Sequence, residues 1–178
     1  MKQVLILSAS PRKQGNSDLL CDRFAAGAKA SGHAVEKIWL PEKAIGYCRG
    51  CGACDTTHAC VQKDDMADVL DKMVKADVIV LATPVYFYSM DAQMKTVIDR
   101  TVPRYMDIHN KDFYFILTAA DTDPASLHRT MEAFRGFTED CLEGVREAGV
   151  IYGVGAWRIG EIKHTPAYSE AYDMGKAI

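Results

Sequence analysis

The sequence contains no stretch approaching the ~18 to 20 consecutive apolar residues that a membrane-spanning helix requires. Its first residues, MKQVLILSAS, offer only a short apolar run met at once by Pro11 and Arg12, which is not the layout of a signal peptide. Blocks of like charge are missing as well. The 21 basic and 24 acidic side chains are interspersed and leave a formal charge of -3, so neither nucleic acid nor a membrane surface is indicated as a partner. No internal repeat, low-complexity tract or linker interrupts the chain. These absences predict a cytoplasmic protein folded as a single domain over residues 1–178, a size that buries roughly two thirds of the unfolded surface without staples. In that compartment six cysteines point to metal or redox chemistry before disulfides.

What is present is an alternation. Apolar runs at 4–7 (VLIL), 78–82 (VIVLA), 113–117 (FYFIL) and 150–157 (VIYGVGAW) are separated by segments of helical spacing. HAVEKIWL at 33–40 alternates as an edge strand does. Strands alternating with helices predict an α/β three-layer sandwich, and five strands in this order predict a flavodoxin-like parallel sheet ordered 2-1-3-4-5. Helices are expected over 17–31, with Leu20, Phe24 and Ala28 inward; from a cap at Asp64, with Met66, Val69, Leu70, Met73 and Val74 in the core; and from a cap at Ser89, with Met94, Val97 and Ile98 inward. Another should start at Asp123-Pro124 and continue through Cys141, Leu142 and Val145 toward Gly149, with a last one over 166–178. Cys21 and Cys141 read as small core residues of helices. Thr101 to Lys111, with Tyr105, Met106 and Ile108, reads as an exposed segment that serves either as a subunit contact or as a loop covering the end of the sheet.

The chain is organised around Ser8 to Ser17, a polar loop between the first strand and the first helix. Ser8, Ser10, Asn16 and Ser17 offer hydroxyl and amide donors, Gly15 permits close backbone approach, Arg12 adds a charged fork, and the helix brings unpaired N–H groups. This is an anion seat that needs no metal, although a polar turn with a good helix cap uses the same residue types. It is neither a Walker loop, which ends Gly-Lys-Ser/Thr, nor the three-glycine dinucleotide fingerprint. At the switch point of a 2-1-3-4-5 sheet this loop faces the loop after the third strand, and Thr118, Ala119 and Ala120 at the end of the fourth strand line the opposite side.

The string SxSPRxxGNS after an amino-terminal strand resembles the phosphate loop of the flavodoxin-like NADPH-dependent FMN reductase family. The resemblance adds Pro11 to the residues around an FMN phosphate. TPVYFYSMDAQMKTVIDR at 83–100 is similar to the family segment in which a Pro-x-Tyr loop packs on the isoalloxazine ring, and this implies flavin contact for Pro84, Val85, Tyr86 and Phe87. On a flavin the chemistry belongs to the cofactor, so no catalytic side chain is expected.

Cys48, Cys51, Cys54 and Cys60 form C-x2-C-x2-C-x5-C within a connection at 41–63 that is too long to be idle. Four-cysteine zinc sites usually join two separated C-x2-C knuckles, whereas this tight run is closer to those that hold iron–sulfur clusters; zinc, and thiols without metal, remain alternatives. Gly50 and Gly52 let the backbone wrap closely, and His58 is expected to be exposed. With Asp64-Asp65-Met66 directly after it, the run is similar to the motif of the iron–sulfur flavoproteins, a branch of the same family carrying a [4Fe-4S] centre. The implied function is an FMN oxidoreductase exchanging electrons with NAD(P)H, a ferredoxin-like carrier or a small redox substrate, as a homodimer or homotetramer. A cluster-free NAD(P)H-dependent FMN or quinone reductase, and a non-enzymatic redox carrier or thiol sensor, are the alternatives. No separate nicotinamide motif is present.

Overall fold

Residues 1–178 are all described in the computed structural model. The continuous apolar runs become strands buried on both faces, β1 (Gln3–Ser8), β3 (Val78–Tyr86) and β5 (Asp112–Thr118). The half-buried β2 (Ala34–Trp39) and β6 (Arg146–Gly153) form the edges. All five pair in parallel in the order β2-β1-β3-β5-β6, which is the 2-1-3-4-5 arrangement when the parallel strands are numbered in sequence. A two-residue strand, β4 (Ser89–Met90), folds back antiparallel on the end of β3 and was not anticipated.

Alternation along each strand feeds two cores. Val4, Ile6, Val78, Val80 and Ile116 face Leu20 and Phe24 of α1 (Asn16–Ala30) and Ala167 and Ala171 of α6 (Pro166–Lys176). Leu5, Leu7, Ile79, Leu81, Phe113 and Phe115 face the other way. They meet Met66, Val69 and Met73 of α3 (Met66–Lys75), which follows a one-turn helix α2 (Cys54–Thr57), Met94 and Val97 of α4 (Ala92–Asp99), and Met131 and Phe134 of α5 (His128–Thr138). The result is a three-layer α/β sandwich of flavodoxin-like type. On the first face α1 and α6 touch backbone to backbone, since a Cβ on Gly175 would lie 2.1 Å from the Phe24 carbonyl oxygen.

Four local expectations are corrected. α4 is capped not by Ser89, which the hairpin uses, but by Asp91, whose carboxylate accepts the Met94 N–H at 3.0 Å. α5 stops at Thr138, and Cys141 is exposed beyond it. The last strand therefore starts at Arg146 and ends at Gly153, leaving Trp157 in the following loop. Finally, Thr101–Lys111 is not simply exposed: Ile108 is fully buried, and Lys111 turns inward to give its ammonium to the Val74 and Ala76 carbonyls at 2.8 and 2.5 Å, capping α3.

Candidate functional site

Register aligns the carboxyl ends of the central strands. Ser8 pairs with Ala82, Pro84 with Thr118, and Thr118 with Gly153, so the following loops leave the sheet at one edge. There they enclose a cleft of about 690 Å³, within the usual range for small-molecule sites. Every residue expected to contact the cofactor lines it except Ser8 and Pro11: Ser10, Arg12, Gly15, Asn16 and Ser17 on one side, Pro84 to Phe87 on a second, Thr118 to Ala120 on a third.

Ser8 is fully buried and works from beneath. Its hydroxyl donates to Asp18 at 2.7 Å, and Asp18 also accepts from the Gln14 N–H at 3.2 Å and the Lys37 ammonium at 2.9 Å. Gln14 has φ of +56°, so Asp18 holds the loop in a left-handed bend that an L-residue does not favour. Asn16 likewise spends its side chain on structure. Its Nδ2 donates to the Ala156 and Arg158 carbonyls, and its Oδ1 accepts from Gly160 at 3.1 Å, fastening the 156–162 loop over the cleft. Ser17 is different. Its hydroxyl is buried without any partner, at a helix start that has no side-chain cap. A buried hydroxyl left unpaired and uncapped helical N–H groups suit an incoming phosphate, whose oxygens would satisfy both. Gly15 keeps this seat open: a Cβ there would sit 2.6 Å from the Ser10 hydroxyl and 2.8 Å from the Arg12 carbonyl oxygen. Arg12 closes the rim, donating to the Trp157 carbonyl at 3.3 Å with its guanidinium 5.8 Å from the indole centre.

The second wall is the β3–β4 hairpin. Tyr86 pairs with Ser89, and Phe87 and Tyr88 between them have φ of +51° and +63°. Positive φ at both central positions is the type I′ geometry usually given to Asn-Gly. Two aromatics held there are strained, and their side chains are thrown outward, Phe87 being fully exposed. Met90, Asp91, Ala92, Ala156, Trp157 and Ile159 also line the cleft and were not anticipated. Asp91 is 2% exposed and its Oδ2 has no partner, while its backbone N–H donates to the Thr83 hydroxyl; burial pushes its carboxyl up to about 7 against the hydrogen bond from the Met94 N–H.

The cysteine loop forms a separate cavity of about 280 Å³ at the far end of α4. Cys48, Cys51, Cys54 and Cys60 all line it, with Arg100, Val102 and Pro103, while the exposed His58 does not. Gly50 and Gly52 take φ of +61° and +69°, as a tight wrap needs. All four thiols are free. No three His, Cys, Asp or Glu side chains of the chain stand close enough to hold a single metal ion.

A doubly wound sheet with a polar loop at its first turn and a cleft at its switch point defines a flavodoxin-like α/β protein. The family model described as NADPH-dependent FMN reductase matches residues 2–135, and the chain belongs to this family. Among curated relatives, an iron–sulfur flavoprotein of Archaeoglobus fulgidus is 45% identical over 103 residues, 58% of this chain and 46% of that protein. One of Methanosarcina thermophila is 35% identical over 96 residues, 54% of this chain and 50% of that protein. The chain spans about half the length of the curated relatives it matches. An azoreductase structure from Bacillus anthracis superposes over the whole of both chains with a TM-score of 0.77 at 14% identity, a likeness of fold.

Proposed function

We propose that this chain is the FMN-binding, electron-transferring part of an oxidoreductase and that the cysteine loop carries a [4Fe-4S] centre. The observation that carries the first half is the unpartnered Ser17 hydroxyl beneath an uncapped helix start, roofed by Ser10 and Arg12, at the switch point of the sheet. The chain's residues would hold the phosphate through Ser10, Arg12, Ser17 and the backbone at Gly15–Ser17, and flank the ring with Pro84–Phe87 and Thr118–Ala120. Ser8 and the Asn16 side chain act as supports of that loop rather than as ligands. Bound FMN supplies hydride and single-electron chemistry, and an iron–sulfur centre supplies single-electron chemistry; the protein positions and tunes them.

The second half rests on four thiols lining one cavity and on the names of the curated relatives. NAD(P)H or a reduced carrier is the donor we infer, in a cytoplasmic, single-domain unit. The exposed aromatic rim of Tyr86, Phe87, Tyr88 and Trp157 at the cleft mouth favours closure by a second copy in a homodimer or homotetramer. The alternative, a cluster-free NAD(P)H-dependent FMN or quinone reductase, is favoured by the exposure of Cys48 and Cys51.

Anaerobic reconstitution with FMN, iron and sulfide, followed by assay of all three and of zinc, tests both halves. Iron and sulfide in equal amounts, four of each per FMN, are expected. FMN without iron leaves the plain reductase, and failure to take up FMN overturns the whole reading.

A further inference from the structure

The loop from Lys43 to Asp65 is tied to the rest of the chain at its neck, and the ties converge on one side chain. Arg100, which ends α4, is only 2% exposed. Its Nη1 donates to Asp64 Oδ2 at 2.7 Å and to the Gly46 carbonyl at 2.6 Å, and its Nη2 donates to Asp64 Oδ1 at 2.9 Å. Asp64 accepts in turn from the Gly46 N–H at 3.1 Å and the Met66 N–H at 3.2 Å. Asp65 adds the next rung, accepting the Ala44 N–H at 2.7 Å. The incoming strand of the loop, its outgoing strand and α4 are thus joined through one guanidinium.

Stability alone does not account for this pair, because a buried ion pair is often no better than apolar packing of the same volume. Three further observations point to the thiols. Arg100 lines the same cavity as all four cysteines. Its Nε is buried without a partner. Cys60 and Arg100 also line together the adjoining cavity on the other side of the loop, so Cys60 is the cysteine that shares both cavities with the guanidinium. Cys60 is also the cysteine most in need of placement. Five residues separate it from Cys54 where only two separate each of the others, and it lies beyond a left-handed turn at His58 (φ +51°).

We propose that Arg100 is the positioning residue of the cysteine loop: with Asp64 it locks the neck, and by donating to the Cys60 sulfur it orients that thiolate toward the centre shared with Cys48, Cys51 and Cys54. This rests on the [4Fe-4S] reading above. Hydrogen bonds to sulfur ligands are among the terms that set a cluster's reduction potential, so Arg100 tunes as well as places.

The test compares wild type with Arg100→Met, Arg100→Lys and Asp64→Asn, each as the full chain reconstituted with FMN, iron and sulfide. Iron and sulfide content, the potential of the iron–sulfur signal and FMN content are measured, and protease cleavage within 43–65 is timed on metal-free protein. Arg100→Met should release iron to a chelator about 10-fold faster or more, the usual scale for a lost supporting contact. It should keep FMN and be cut faster in the loop. Arg100→Lys retains the charge without the fork and should hold iron at a lowered potential. If Arg100→Met also loses FMN, Asp64→Asn carries the same comparison with the guanidinium left in place. Wild-type iron retention, potential and loop protection in the variants would overturn the inference. Wild-type protein that takes up FMN but no iron overturns the cluster reading instead, together with the Cys60 role; the cleavage rates then decide the neck lock on their own.

Discussion

The cleft at the strand ends and the cavity of the cysteine loop are both concave and both gather chemically active groups, yet they are built by opposite means. The cleft takes its walls from the ends of β1, β3, β5 and β6, strands whose Leu7, Leu81, Leu117 and Ile151 are fully buried. Its geometry is a by-product of sheet register and exists before any ligand arrives. The cysteine cavity rests on the end of α4, but between Cys48 and Gln62 no residue is buried and the only regular structure is the single turn of α2. A loop with so little buried surface draws little of its shape from packing, so the centre proposed for it would complete that shape, binding energy and ordering energy being there the same quantity. A preformed site tolerates the loss of its ligand; a ligand-formed one does not.

The sharpest way to break this contrast is Cys51→Ser. It should abolish iron and sulfide uptake altogether while FMN per chain stays at the wild-type value; loss of both cofactors together would show that the two sites are one. Gly15→Ala attacks the other member. Its added carbon would sit 2.8 Å from the Arg12 carbonyl oxygen, so the anion seat must shift. FMN affinity should fall about 10-fold or more, roughly 1.4 kcal/mol, in a fluorescence titration, with iron uptake unchanged. An unaltered dissociation constant would mean that the phosphate does not lie there.

Asp91→Asn asks how much strain the preformed site stores. The Asp91 carboxyl is raised from an ordinary 3.8 to about 7 in the folded protein, so the native state binds more protons than the unfolded state between those values. Wild-type stability should therefore fall as pH rises from about 4 to 7 and level off above. Asparagine still caps α4 but does not titrate. The difference in unfolding free energy between pH 5 and pH 8 should shrink by about 2 to 3 kcal/mol in the variant; equal differences in both proteins would rule out a buried carboxyl under strain.

Much of the contrast is legible in the sequence. Continuous apolar runs fix the central strands, and the order of strands and helices fixes the switch point, so Thr118–Ala120 could be placed opposite Ser10–Ser17 from the sequence. The hairpin could not. Its turn is made by Phe87 and Tyr88, residues that no turn preference selects, and with it went the start of α4 and Asp91. The start of β6 was hidden by charge: Glu147 lies in the strand because Arg135 meets it with hydrogen bonds of 2.9 and 3.0 Å, a partner 12 residues away. Ser8 and Asn16 show a subtler limit. Their types suit an anion, but the same hydroxyl and amide also suit backbone clamps, and only packing decides between ligand and structure. For the cysteines, spacing revealed the donor set and nothing of its closure, since no local rule links C-x2-C-x2-C-x5-C to Arg100.

α4 runs from one site to the other. It has eight residues, about 12 Å at 1.5 Å per residue, with Asp91 and Ala92 in the wall of the cleft and Asp99 and Arg100 in that of the cysteine cavity. Its aligned peptide dipoles present a positive end to the cleft and a negative end to the thiols. The backbone alone thus sets an electrical slope along which added negative charge is easier to hold at the cleft. Arg100, seated on the carbonyl end, levels part of that slope, so with both sites filled as proposed the polarity of one short helix would bias on which of them an electron rests.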